Sequence, residues 1–123
     1  MRWLLLLSAL NGFLAVAFGA HGLKSRLASV ADGAQRLDWW HTAAQYHLAH
    51  ALAIGLAAVL LGRVPVAGAQ PAGIAFLCGI LLFSGSLYTM TLTGVRALGA
   101  VTPIGGLAFL VGWACLAWAA WKS

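Results

Sequence analysis

The chain has 123 residues, of which 63% are hydrophobic and only 7% are Asp, Glu, Lys or Arg. Soluble domains carry about 25% charged residues, and a fold of this size buries too little of its surface to hide so much apolar side chain from water, so a soluble globular domain is excluded. The net charge of +5 comes from seven basic residues scattered over termini and connections, without a basic face or stripe; they read as membrane anchors facing lipid head groups, and no nucleic acid is expected as a partner.

The first element is a charge-free stretch, read as a membrane span at about residues 3–23. Arg2, the apolar run and the small residues Gly19 and Ala20 also resemble a cleaved secretory leader. Asn11 and Gly12 interrupt that apolar core, and apolar character resumes through Val16 and Phe18, so a retained span is expected. A connection follows over residues 24–38, with Leu27, Val30, Ala31, Ala34 and Leu37 at three- and four-residue spacings. That pattern predicts a short amphipathic helix on the membrane surface at about 24–37.

The second span is expected at about 39–61, the third at 73–93 and the fourth at 99–121. Each has about the 20 apolar residues needed to cross the hydrocarbon layer. Backbone groups in lipid must pair internally, which leaves helices or closed-barrel strands. Residues 4–7 and 57–61 do not alternate in polarity as barrel strands would. The fold class is therefore all-α: an integral membrane four-helix bundle with antiparallel spans, short loops and a single domain over residues 1–123. Pro103 falls where the fourth helix starts, a position that tolerates its missing N–H.

Cys78 and Cys115 lie in apolar stretches with no CxxC spacing and read as small packing residues. The basic residues divide three against four between the two membrane sides, so charge does not set the orientation.

Polar residues gather in one half of the membrane: Asn11 and His21 from span one, Gln45, Tyr46, His47 and His50 from span two, Ser84, Ser86 and Tyr88 from span three, and Thr102 at the start of span four. Intramembrane polar groups face the bundle interior or a cavity. Together they predict a polar half-pocket opening toward the first and third connections. His47 and His50 are three residues apart on one helix, and imidazole suits Zn, Cu, Ni and haem iron; with His21 they are the candidate metal ligands. Against that reading stands the absence of any acid or cysteine beside them. The alternative is that they hydrogen-bond across helices and hold the bundle in register. Small residues, Gly85 in span three and Gly105, Gly106 and Gly112 in span four, are expected to let helices approach closely.

The blocks FGAHGL at 18–23, TAAQYHLAHAL at 42–52, LFSGSLY at 82–88, TPIGG at 102–106 and FLVGW at 109–113 cover all four spans. On these the chain resembles the DUF423 (UPF0382) family of small bacterial membrane proteins and, more distantly, the eukaryotic proteins of the transmembrane protein 256 type. The resemblance implies a four-span protein of the inner membrane with both termini cytoplasmic. It implies no reaction or substrate. His41 lies just outside the matching block and is a weaker site candidate than His47 or His50.

No acid lies in the spans, and there is no HExxH, serine elbow or phosphate loop. No catalytic residue and no cofactor is therefore expected, and the protein does not read as an enzyme. Three functions stay open. A structural or accessory bundle, or one binding a small apolar ligand in its polar half-pocket, needs nothing the sequence lacks. A transporter or channel of four short spans requires a homo-oligomer. A metal or haem protein requires the histidines. Membrane lipid is the expected partner in all three, and a copurified membrane protein would favour the accessory role.

Overall fold

The computed structural model describes residues 2–20, 27, 29–63 and 69–122. They form helices α1 (Arg2–Ala20), α2 (Gly33–Arg63) and α3 (Ala69–Gly79), a π-helical turn (Ile80–Ser84), α4 (Gly85–Thr93), a 3-10 turn (Arg96–Ala100) and α5 (Thr102–Lys122). Four stretches are long and apolar enough to cross a membrane: Arg2–Ala20, Gly33–Leu61, Ala69–Thr93 and Arg96–Lys122. At about 1.5 Å per residue, even the shortest reaches nearly the ~30 Å of a hydrocarbon layer. The protein is an all-α four-span bundle.

The second helix starts earlier than the charge pattern suggests. Of the predicted surface helix at 24–37, residues 24–26 and 28 lie outside the described residues, and 29–32 are turn and bend. Residues 33–38 do not form a separate element but open α2. The reversal before it is tight: the Val30 amide bonds the Leu27 carbonyl, and the Gly33 amide bonds the Val30 carbonyl.

The third span begins at Ala69, with Pro71 in its first turn, where helix N–H groups have no intrahelical acceptor. It ends at Gly94, whose φ of 74° gives the left-handed cap that side chains resist, and whose N–H returns to the Met90 carbonyl. The π turn interrupts this span without breaking it, because Gly79 and Gly85 on either side both keep right-handed helical dihedrals.

Helix α1 packs on α2, α5 packs on α3 and the π turn, and α2 also contacts α3 and α4. The core is built of small and aromatic residues: Ala53, Ile54, Ala57 and Ala58 of α2 meet Leu4, Phe76, Ile80, Phe109 and Leu116. Outward faces are apolar, with Phe13 at 73% and Leu110 at 66% exposed. In water such faces would be costly; in lipid they are the solvated surface.

Glycine permits the closest helix approaches at particular positions. A Cβ on Gly105 would overlap the Phe83 backbone of the π turn, and one on Gly112 would lie 2.5 Å from the Phe76 ring. Gly85 and Gly106 differ from them: the nearest atoms to a Cβ there are at 3.8 and 3.9 Å, an ordinary contact. Those two are not close-approach positions, because neither α-carbon points at a neighbouring backbone.

Candidate functional site

The polar side chains of the second span divide between two sides of α2. His47 is 3% exposed and faces α1 and α4. Its Nε2 lies 3.0 Å from Asn11 Oδ1, and its Nδ1 lies 3.0 Å from the Tyr88 hydroxyl. The partners set the proton positions. The Leu7 carbonyl can only accept, so Asn11 donates to it through Nδ2 at 2.8 Å and turns Oδ1 toward His47. His47 therefore donates through Nε2, and Tyr88 donates to Nδ1. One neutral imidazole ties together three helices. Phe18, Trp40 and Tyr88 close over this contact in edge-to-face pairs, with centroids 4.7–5.6 Å apart, and the Trp40 indole donates to the Phe18 carbonyl at 2.6 Å.

His50, one helical turn deeper and 5% exposed, takes the other side and the other tautomer. An indole can only donate, so Trp113 gives its N–H to Nε2 at 3.1 Å. The proton then sits on Nδ1 and reaches the Tyr46 carbonyl at 2.8 Å. The ring stacks on Phe109, centroid to centroid at 3.6 Å and 9° from parallel, and Phe76 packs beside it. Three residues of helix are enough to turn the two imidazoles toward different neighbours. They share no hydrogen-bond partner.

The remaining candidates are also placed. Buried Ser84 donates to the Ala43 carbonyl at 2.8 Å, joining the π turn to α2. Ser86 and Thr102 share a hydrogen bond of 2.6 Å at the start of α5. Tyr46 is 44% exposed and stacks beside His50. Gln45 is exposed on another face of α2. His21 lies outside the described residues. Asn11, His47, His50, Ser84, Ser86, Tyr88 and Thr102 thus form separate interhelical contacts in place of one open polar half-pocket, with no buried side-chain N or O lacking a partner among the described residues. Nor, among those residues, do three His, Cys, Asp or Glu gather at metal-binding range.

Sequence reasoning placed Trp113 in the FLVGW block and missed it as a hydrogen-bonding partner. An indole N–H within a span has no water to bond and needs an acceptor, and the His50 imidazole supplies it. It also missed Arg36, which opens α2. Its Nε donates to the Thr91 carbonyl at 2.8 Å, and the Thr91 hydroxyl donates back to the Arg36 carbonyl at 2.9 Å. Asp32 joins Arg36 at 3.7 Å and Arg96 at 3.4 Å, and Arg96 lies over the Trp39 ring at 5.2 Å. These ionic and indole groups mark the end of the bundle that meets the head groups.

A groove of about 420 Å³ runs outside the bundle between α1 and α2. Gly19 and Ala44 meet at its base, Ala15, Val16 and Leu48 line its deep end, and His41 and Gln45 line the end nearer the ionic cluster.

Apolar outer faces, four spans and, among the described residues, a paired polar interior define a small multi-pass membrane protein. The chain belongs to the DUF423 family, described as a protein of unknown function, whose model matches residues 15–106. It is 41% identical over 126 residues to the UPF0382 membrane protein YwdK of Bacillus subtilis (strain 168), covering 99% of this chain and 98% of that one. It is 38% identical over 125 residues to the UPF0382 membrane protein SAB0533 of Staphylococcus aureus (strain bovine RF122 / ET3-1), covering 99% and 98%. It is also 38% identical over 116 residues to the UPF0382 inner membrane protein YgdD of Escherichia coli (strain K12), covering 94% and 86%. No solved structure matches the chain. The four spans and these relatives support a multi-pass location in the bacterial inner membrane.

Proposed function

We propose that the protein is a non-catalytic structural or accessory bundle, inserted with both termini cytoplasmic, whose intramembrane polar residues hold helices in register. The observation that carries this reading is the double commitment of each imidazole. His47 uses both ring nitrogens on Asn11 and Tyr88, and His50 uses both on Tyr46 and Trp113. A metal or haem would have to displace one of those partners from each ring, and a general base would have to release one before it could take a proton. Interhelical hydrogen bonds in lipid contribute about 0.6 kcal/mol each on average and up to about 1.7. A set of them fixes rotation and depth, which apolar packing alone specifies weakly. A four-span body held in this way offers partner membrane proteins a rigid lateral surface.

The test is the protein purified in mild detergent beside the variant His47→Ala, His50→Ala, with elemental analysis, optical spectra and unfolding recorded on both. The expected result is no stoichiometric metal or visible chromophore in either, with the variant less stable. A metal or haem band present in the parent and lost in the variant would replace this reading with a cofactor site. Transport of a solute by reconstituted parent protein, abolished in the variant, would replace it with a transporter.

A further inference from the structure

We propose that the groove between α1 and α2 is a phospholipid site that seats one acyl chain, with the ester region of the lipid at His41 and Gln45. At about 420 Å³ it falls within the ~300–1,000 Å³ range of small-molecule clefts. Its polarity is graded. His41 and Gln45 lie on α2 nearer the end where Asp32, Arg36, Arg96 and Trp39 mark the head-group level. One to two turns deeper, Ala15, Val16 and Leu48 leave only apolar surface. An amphiphile aligned with the membrane normal has the same gradient in the same direction.

Three features select a lipid chain over other occupants. Among the described residues the only ring at the groove is the His41 imidazole at its head-group end, so a planar ring would find no stacking platform along the apolar length. The small residues Gly19 and Ala44 at its base leave a shallow trough that a flexible chain can follow. A docked apolar helix would cover Gln45 and leave its amide without a partner in lipid, at the cost of an unmade hydrogen bond. An ester or phosphate oxygen accepts from that amide and from the imidazole. The site is separate from the contacts of His47 and His50: neither imidazole, nor any of their partners Asn11, Tyr88, Tyr46 and Trp113, lines the groove.

The test is native mass measurement of delipidated protein, titrated in mild detergent with palmitoyl-oleoyl phosphatidylethanolamine. Three variants accompany it: Ala20→Leu, which narrows the groove; Gln45→Ala, which removes its amide; and Ala114→Leu, on the outer face of α5. All three positions are exposed, so none disturbs the core. The parent and Ala114→Leu are expected to retain one lipid equally. Ala20→Leu and Gln45→Ala are expected to retain it about fivefold less, the equivalent of one lost hydrogen bond or one blocked contact. Equal retention by all four proteins would overturn the proposal. So would a second protein chain, in place of the lipid, that is lost with Ala20→Leu.

Discussion

The indole N–H of Trp113 donates to Nε2 of His50 over 3.1 Å and joins α5 to α2 through a side chain that is 5% exposed. Side chains make the link between these two helices, with His50 also stacked on Phe109, since α5 packs chiefly on α3 and the π turn. Trp113→Phe keeps an aromatic ring against Phe76 but leaves the imidazole nitrogen with no donor. We expect a loss of about 0.5–2 kcal/mol, between the average lipid hydrogen bond and the cost of a buried group left unpaired. Unfolding by SDS titration in mixed micelles measures it. An unchanged midpoint would mean that the Tyr46 bond and stacking on Phe109 hold His50 without the indole.

The Asn11–His47 contact is accessible to a double-mutant cycle. Asn11→Ala and His47→Ala each remove one end of a bond that couples α1 to α2. His47→Ala also frees Tyr88, so it is expected to cost more than Asn11→Ala. The coupling between the two is expected at about 0.6–1.7 kcal/mol. Strict additivity in the same micelle titration would show that the two side chains do not act as a pair in the folded protein.

The four spans were legible because each apolar run is about as long as the hydrocarbon layer is thick, or longer, and the charges fall between them. The choice of His47 and His50 as buried polar groups was legible because polar side chains in spans tend to face the bundle, although Gln45 on the same helix is exposed. Their partners were not. Rotation of each helix about its axis decides whether two imidazoles three residues apart converge or separate, and no one-dimensional pattern carries that rotation. Nor does the apolar run reveal the π turn, because Ile80, Leu81, Leu82 and Phe83 suit either helical winding. The start of α2 was misplaced because Arg36 and Asp38 read as connection residues. In the fold, Arg36 gains a carbonyl from Thr91, which lets charge sit inside a helix at the membrane boundary.

Gly105 and Gly106 are adjacent glycines with opposite roles. A Cβ at Gly105 would enter the Phe83 backbone, whereas one at Gly106 meets only the Phe83 ring at 3.9 Å. Gly105→Ala is expected to cost about 1–3 kcal/mol by forcing α5 off the π turn. Gly106→Ala is expected to be neutral, or to stabilise by up to ~1 kcal/mol through helix propensity. Thermal denaturation of the two variants side by side distinguishes them. Equal effects would place α5 at a different rotation.

Membrane orientation can be read with one thiol. Val95 is 49% exposed in the connection between α4 and the 3-10 turn, at the end of the bundle opposite both termini. With both termini cytoplasmic, Val95→Cys in a Cys78→Ser, Cys115→Ala background is expected to react with a membrane-impermeant maleimide in intact spheroplasts. Labelling only after lysis would invert the topology proposed above.

The contact between Arg36 and Thr91 combines two kinds of energy that substitutions can separate. Thr91 is fully buried, and its carbonyl is among the last of α4, where the helix dipole places negative charge. Arg36→Lys keeps a cation near that end but loses the planar Nε–H that points at the carbonyl. Arg36→Ala loses both. Thr91→Val keeps shape and removes the hydroxyl that the Arg36 carbonyl shares with the Leu87 carbonyl of the same helix, each at 2.9 Å. Stability is therefore expected to fall in the order parent, Arg36→Lys, Arg36→Ala. The first step reports the directed bond, about 1 kcal/mol, and the second the charge, about 0.3–1 kcal/mol. Thr91→Val is expected near the first step, at about 1 kcal/mol. Unfolding in mixed micelles at low and high salt separates the terms, because only the charge contribution is screened. If Arg36→Lys matched the parent at both salt concentrations, the latch would be held by charge alone and the reciprocal bonds would contribute nothing to joining α2 to α4.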